Sequence, residues 1–137
     1  MNAPTKNQII QQYQKDYQDL NTTMQRINEL EGITNEINSA AEALGEIQKG
    51  KKDEKTMIPL GAGIYIETKL DQTKICKKSL AGNLLVDSDI KNTIKKLIEE
   101  EEKARTALNR MYEQRNRLQK SVNTLEMILK QMEKAKQ

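Results

Sequence analysis

Side chains able to do covalent or acid–base chemistry are scarce in this sequence. The 137 residues include no histidine, no tryptophan and a single cysteine, Cys76. That excludes Ser-His-Asp and Cys-His pairs, His-ligated metals and an internal disulfide. The densest acidic run is Glu99-Glu100-Glu101-Glu102. Consecutive helical residues point around the axis and do not converge on one ion or substrate, so the run reads as a solvated face. Gly61-Ala62-Gly63 lacks the Lys-Ser/Thr pair and the following helix of a phosphate loop, and reads as a turn. Cys76 falls on an expected strand without a basic neighbour of defined geometry, which makes it a packed thiol rather than a nucleophile. No enzyme activity, cofactor or metal is expected.

The elements that would position any site must therefore be read from pattern. Hydrophobic residues make up 36% of the chain and charged ones 31%, with 3% aromatics, no Phe, two prolines and six glycines. Such a composition suits long helices and a small core. No stretch approaches the roughly 20 apolar residues of a membrane-spanning helix. Met1-Asn2-Ala3-Pro4-Thr5-Lys6 leads into polar sequence, and together with the lone cysteine this gives the expectation of a soluble cytoplasmic protein. The net charge is +3 and the pI about 8.9. Lys103, Arg105, Arg110, Arg115, Arg117 and Lys120 spread around a helix among acids, and stacking aromatics are missing, so nucleic-acid binding is not expected.

Three segments follow from the glycine and proline distribution: a helical arm over 1–50, a β region over 51–87 and a second helical arm over 88–137. Alternating steps of four and three from Ile90 reach Ile94, Leu97, Glu101, Ala104, Leu108, Met111, Arg115, Leu118, Val122, Leu125, Leu129 and Met132. Only Glu101 and Arg115 break this seam, and a 3.5-residue repeat of this length predicts a left-handed coiled coil. Asp87, Ser88 and Asp89 are candidate caps for this arm. The first arm reads Ile10, Tyr13, Tyr17, Leu20, Met24, Ile27, Leu30, Ile33, Ile37, Ala40, Leu44 and Ile47, with a stammer near Leu30. Residues 1–50 hold four basic and seven acidic side chains, and residues 88–137 twelve and eight. An acidic arm and a basic arm joined by a compact link predict an antiparallel hairpin.

Between the arms, Lys51-Lys52-Asp53-Glu54-Lys55 forms a polar connector. Four short strands are expected at Thr56–Leu60, Gly63–Leu70, Lys74–Leu80 and Asn83–Val86, broken at 61–63, 71–73 and 81–83. Ile64, Ile66 and Leu70 alternate with Tyr65, Glu67 and Lys69, the pattern of a sheet with one buried face. Pro59 marks an edge strand or a turn. Hairpins this small leave open edges and little core, so the β region is expected to be an assembly surface.

A long helical hairpin interrupted by the stretch from Met57-Ile58-Pro59-Leu60 through Gly61-Ala62-Gly63-Ile64-Tyr65-Ile66 to Leu70, with a second apolar hairpin before the return helix, resembles the α-type subunit of prefoldin. The β-type subunit has one hairpin, so four strands point to the α class. The sequence departs from the family at Lys77-Lys78-Ser79-Leu80-Ala81-Gly82-Asn83, where relatives carry an apolar strand and a glycine-rich turn. The resemblance implies an α+β fold, a two-helix coiled-coil hairpin whose β region oligomerises into a barrel platform. It also implies an ATP-independent chaperone of two α-type and four β-type subunits, holding unfolded clients at the coiled-coil tips and delivering them to a group II chaperonin. The assembly residues would then be Met57, Ile58, Leu60, Ile64, Tyr65, Ile66, Leu70, Leu80, Leu84, Leu85 and Val86. Apolar residues outside the seam near the free ends, Ile9, Met127 and Ile128, are expected to face water. With Ile10, Tyr13, Tyr17, Leu125, Leu129 and Met132 they form the expected client-binding tip. The alternative is a structural or tethering coiled-coil oligomer without chaperone activity.

Overall fold

The computed structural model describes residues 2–51, 53–71 and 73–136. Lys52 and Gln72, which the sequence places in the connector and in a strand break, lie outside the described residues. The element order is α1 (Lys6–Lys49), β1 (Lys55–Gly61), β2 (Ile64–Lys69), β3 (Ile75–Ser79), β4 (Leu85–Asp89) and α2 (Ile90–Ala135). The chain divides into two compact units.

The first unit comprises Met1–Thr34 and Lys103–Gln137. Its α1 begins with a capping box: the Gln8 backbone N–H donates to Thr5 Oγ1 at 3.2 Å, and the Thr5 N–H donates to Gln8 Oε1 at 2.9 Å. Ile9, Leu20, Ile27, Leu108 and Val122 are buried and form the core of this unit. Two side-chain bonds set its register. The Ser121 hydroxyl donates to Asp16 Oδ2 at 2.5 Å, and the Tyr112 hydroxyl donates to Glu31 Oε1. Position rises on α1 as it falls on α2, so the two helices pack antiparallel in this unit.

The α2 seam is as the sequence indicates: all thirteen positions from Ile90 to Met132 are buried or half-buried. The α1 seam is not. Its inward residues run Ile9, Tyr13, Asp16, Leu20, Thr23, Ile27, Leu30 and Thr34, then Ile37, Ala41 and Leu44, in unbroken steps of four and three. The expected stammer is therefore absent. Tyr17, Met24 and Ile33, assigned to the seam by residue type, are about half exposed. The expectation failed because three seam positions hold polar residues, Asp16, Thr23 and Thr34. Asp16 accepts from Gln12 Nε2 at 2.7 Å as well as from Ser121, and the Thr34 hydroxyl donates to the Leu30 carbonyl at 2.7 Å. A satisfied polar group can occupy a seam position that an apolar residue would otherwise hold.

The second unit is Asn35–Glu102. It contains two separate two-stranded antiparallel sheets, β1-β2 and β3-β4. In the first, Thr56 pairs with Thr68 and Ile58 with Ile66 on one face, while Met57 pairs with Glu67 and Pro59 with Tyr65 on the other. The register shifts between Pro59 and Gly61, a bulge beside the proline. Gly61, Ala62 and Gly63 all have positive φ, at 105°, 53° and 76°, and so form the tight turn that right-twisted strands require. In the second hairpin Cys76 pairs with Ser88, Lys77 with Asp87 and Lys78 with Val86.

The fourth strand lies later than expected, at Leu85–Asp89 instead of ending at Val86, and α2 starts directly after it. Asp87 and Ser88 are ladder residues and not caps. Asp87 pairs with Lys77 at 3.0 Å, and Ser88 Oγ lies 2.6 Å from Thr93 Oγ1. Asp89 alone caps, accepting from the Lys91 backbone N–H at 3.0 Å. The Ile90 N–H donates to the Lys74 carbonyl at 2.8 Å, which ties the first turn of α2 to the second hairpin.

Candidate functional site

Each unit presents an apolar surface, and each arises for a different local reason. In the second unit the alternation of the strands is real, but a two-stranded ribbon has nothing behind it. Ile64 and Ile66 are therefore exposed, and the buried face expected from their spacing does not form within one chain. Of the eleven residues expected to mediate assembly, Met57, Ile58, Leu60, Ile64, Tyr65, Ile66, Leu80, Leu84 and Leu85 are exposed, and Leu70 and Val86 half-buried. Lys55 stands opposite Lys69, with Glu67 at 3.7 Å from the Lys55 ammonium, so charge is confined to the strand ends farthest from the turn. Below the first hairpin an open groove of about 500 Å³ is floored by Ala43, Ile47, Met57, Ile58, Pro59 and Leu70.

An apolar strand face and unpaired edges of this extent are the ordinary mark of a surface that another chain covers. The second hairpin differs from the first. Three of its exposed apolar residues, Leu80, Leu84 and Leu85, lie at the turn end and Ile75 at the opposite end, while Cys76, Ser88 and Thr93 form a polar knot against α2. The Cys76 thiol donates to Thr93 Oγ1 at 3.7 Å and the Thr93 hydroxyl to the Asp89 carbonyl at 2.7 Å. The thiol is thus packed into the hairpin–helix junction.

In the first unit, the expected tip residues separate into three sets. Ile9, expected to face water, is only 6% exposed and belongs to the core, since it occupies the first seam position of α1. Ile10, Tyr13, Leu125, Ile128, Leu129 and Met132 are half-buried. Tyr17 and Met127 are exposed, the latter at 62%. The rings of Tyr13 and Tyr17 stack with centroids 6.0 Å apart. A shallow pocket at this end is lined by Pro4, Gln8, Ile9, Gln12, Lys15 and Leu125.

Sequence reasoning missed Met24, which lies exposed one heptad from Tyr17; strict four-three stepping from Ile9 would have found it. The guanidinium of Arg115, which breaks the α2 seam, lies over the Tyr112 ring, 5.0 Å from its centroid, and Tyr112 reaches Glu31. The hydrogen bond to Glu31 holds the Tyr112 phenol above its ordinary pKa of 10.0, with burial and the Glu31 charge adding to the rise and Arg115 opposing it. Glu99, Glu100 and Glu102 are exposed, and only Glu101 sits at the half-buried seam.

Among the described residues no helix is long and apolar enough to cross a membrane. No curated protein matches the sequence. Among solved structures, a chain of the cryo-EM structure of filamentous PFD from Methanocaldococcus jannaschii superposes with a TM-score of 0.58 at 14% identity, over 92% of this chain and 96% of that one. The paired long helices and the small four-stranded β region share that fold. A model of the prefoldin subunit family matches residues 17–135, which spans the exposed hairpins and most of both helices, and the chain therefore belongs to the prefoldin family.

Proposed function

We propose that this chain is an α-type prefoldin subunit, a non-enzymatic, ATP-independent cytoplasmic chaperone that holds unfolded polypeptides and passes them to a group II chaperonin. Membership of the prefoldin family over residues 17–135 is the observation that carries this reading. The α-type assignment is supported by two hairpins in place of one. The exposed apolar residues of both hairpins are the surface through which β-type subunits would join it in a hexamer of two α and four β chains. Barrel closure would bury Ile58, Ile64 and Ile66, whose exposure in a lone chain is otherwise costly. Client capture is assigned to the first unit: Ile10, Tyr13, Tyr17, Leu125, Met127, Ile128, Leu129 and Met132, with Ile9 as core support. Each helical end binds weakly, and several ends around one client supply the affinity.

The test is light scattering from a denatured client diluted into buffer with this chain and a β-type partner. The assembly is expected to suppress aggregation, and a Tyr17→Ser/Met127→Ser variant to lose suppression while still assembling. Undiminished suppression by that variant would remove the tip assignment. Assembly without any suppression would favour a tethering scaffold. A second reading, self-assembly without a β-type partner, is favoured by the fold match to a filamentous prefoldin. Electron microscopy of the chain alone separates it from the hexamer.

A further inference from the structure

Charge is unevenly divided between the two units. The first carries twelve basic and seven acidic side chains, the second eleven and thirteen, and nine of the first unit's twelve lie in residues 103–137. Sequence order scatters these nine, but helical register collects part of them. Lys103, Arg110 and Arg117 stand seven residues apart on α2 and share one heptad column roughly 21 Å long. Each directly precedes a seam residue, Ala104, Met111 or Leu118, which in a 3.5-residue repeat sets the column about 130° from the middle of the seam. Lys120 follows Arg117 one turn later on the same outer face. All four are exposed, and none forms an ion pair or side-chain hydrogen bond with another described residue. Glu113 is the one acidic residue between Lys103 and Lys120.

We propose that this basic column binds acidic segments of unfolded polypeptide clients. The proposal rests on the capture reading of the first unit and deepens it by naming the class of segment taken. The first reason is position. Basic residues that served to pair the two helices would flank the seam, where coiled coils place their interhelical ion pairs. These four stand instead on the side turned away from the seam, without partners, where their charge is available to an incoming chain.

The second reason is what the face leaves out. Besides the four cations, its outer positions from Lys103 to Lys120 hold Thr106, Asn109, Glu113 and Asn116. No aromatic side chain is there for a base to stack on, and no apolar one to enter a bilayer. Nucleic acid and lipid surface are therefore poor fits, whereas polypeptide carboxylates suit the face well. Each guanidinium can hold a carboxylate through two parallel N–H bonds, and the asparagines add amide donors. Long flexible side chains at intervals of roughly 10.5 Å impose no strict register, which suits clients that share acidity and not sequence.

The experiment measures fluorescence anisotropy of two dye-labelled peptides of about 18 residues, one with glutamates among leucines and one with every glutamate replaced by glutamine. In about 50 mM salt, full-length chain should bind the acidic peptide about tenfold more tightly, the product of three or four exposed ion pairs. The preference should fade in about 0.5 M salt. The column variant Lys103→Gln/Arg110→Gln/Arg117→Gln should abolish it, with circular dichroism checking that the variant folds. Lys49→Gln/Lys91→Gln/Lys95→Gln removes the same charge from exposed positions of the second unit and should keep the preference.

Equal affinity for the two peptides would overturn the acidic class while leaving client capture standing. A preference that survives in the column variant, or falls equally in the second-unit variant, would remove the column. Binding of neither peptide would overturn the proposal, and if the chain with a β-type partner also fails to suppress aggregation, the capture reading falls with it. Thymidine oligonucleotides or phosphatidylserine vesicles, bound more tightly than the acidic peptide and released by the column variant, would make the partner a nucleic acid or a lipid surface instead. Salt-sensitive self-association lost in the column variant, with no peptide bound, would make the occupant a second copy of the chain.

Discussion

The two units use apolar residues in opposite ways. In the first, a seam of alternating four- and three-residue steps turns Ile9, Leu20, Ile27, Leu108 and Val122 inward, and the Asp16 carboxylate in that seam is paired. In the second, Ile58, Ile64, Ile66, Leu84 and Leu85 point into open solvent from two-stranded ribbons that cannot cover them. A helix pair can satisfy its backbone and bury a stripe with one partner, whereas a lone hairpin needs further strands or another chain. Self-sufficiency in one region and incompleteness in the other is what a subunit needs in order to assemble through one part and keep the rest free.

Matched truncations should break this comparison most sharply. Leu20 is 5% exposed, and Leu20→Ala should cost about 2–4 kcal/mol of helix-pair stability in urea unfolding followed by circular dichroism. Ile66 is 50% exposed, and Ile66→Ala should change the stability of the dispersed chain by no more than about 0.5 kcal/mol. Its effect belongs in sedimentation, as weakened association with other subunits. If both substitutions destabilised the dispersed chain equally, the hairpins would have a core of their own and the contrast would fail.

A smaller effect is expected at the polar lock of the first unit. Ser121→Ala leaves the buried Asp16 carboxylate with Gln12 alone and should cost about 1–3 kcal/mol. Asp16→Leu, which replaces the buried group with an apolar one, should be neutral or stabilising yet permit slipped helix registers, detectable by disulfide trapping between engineered cysteines. A single retained register in Asp16→Leu would show that the apolar seam alone fixes alignment.

How far the sequence revealed this arrangement depended on whether residue type and position agreed. They agree along α2, where Ile90 to Met132 are apolar at eleven of thirteen seam positions. In α1 they conflict. Asp16, Thr23 and Thr34 hold inward positions while Tyr17, Met24 and Ile33 lie outside, so following hydrophobicity alone produced a stammer that does not exist. The same conflict displaced Ile9 from core to surface in the expected tip. Strand existence was legible from alternation and the Gly61–Gly63 turn, but Asp87 and Ser88 were misread because a carboxylate can serve a ladder ion pair as readily as a helix cap. Which chain covers the hairpins was not legible, because alternation specifies a face to be buried and leaves its partner open.

Alkaline pH should distinguish the units more gently. The Tyr112 phenol is held above its ordinary pKa of 10.0 chiefly by its hydrogen bond to Glu31, so the fold favours the neutral, donating form. That contribution is complete below pH 10 and is lost as pH rises through the higher folded-state value. Melting of the helix pair should therefore fall more steeply above pH 10 in the native sequence than in Tyr112→Phe, which lacks the titrating group. Identical alkaline profiles would show that the Glu31 contact does not persist in solution.

The smallest expected effect confines itself to the first hairpin. Ala62 adopts a φ of 53° between two glycines that also have positive φ, and nothing crowds either glycine within 4 Å. A Cβ in the left-handed region costs roughly 1–2 kcal/mol, and asparagine tolerates that region better than alanine because its short amide can bond locally. Ala62→Asn should therefore stabilise the β1-β2 pairing by about 0.5 kcal/mol. The gain should appear as slower amide exchange across the Ile58–Ile66 pair in the dispersed chain, with no change in the helices of the first unit. Because that pair is exposed on its apolar face, preorganising it should also tighten assembly slightly. A general rise in helix protection would mean that hairpin and helix stability are coupled, and that the two units do not divide the work as their surfaces suggest.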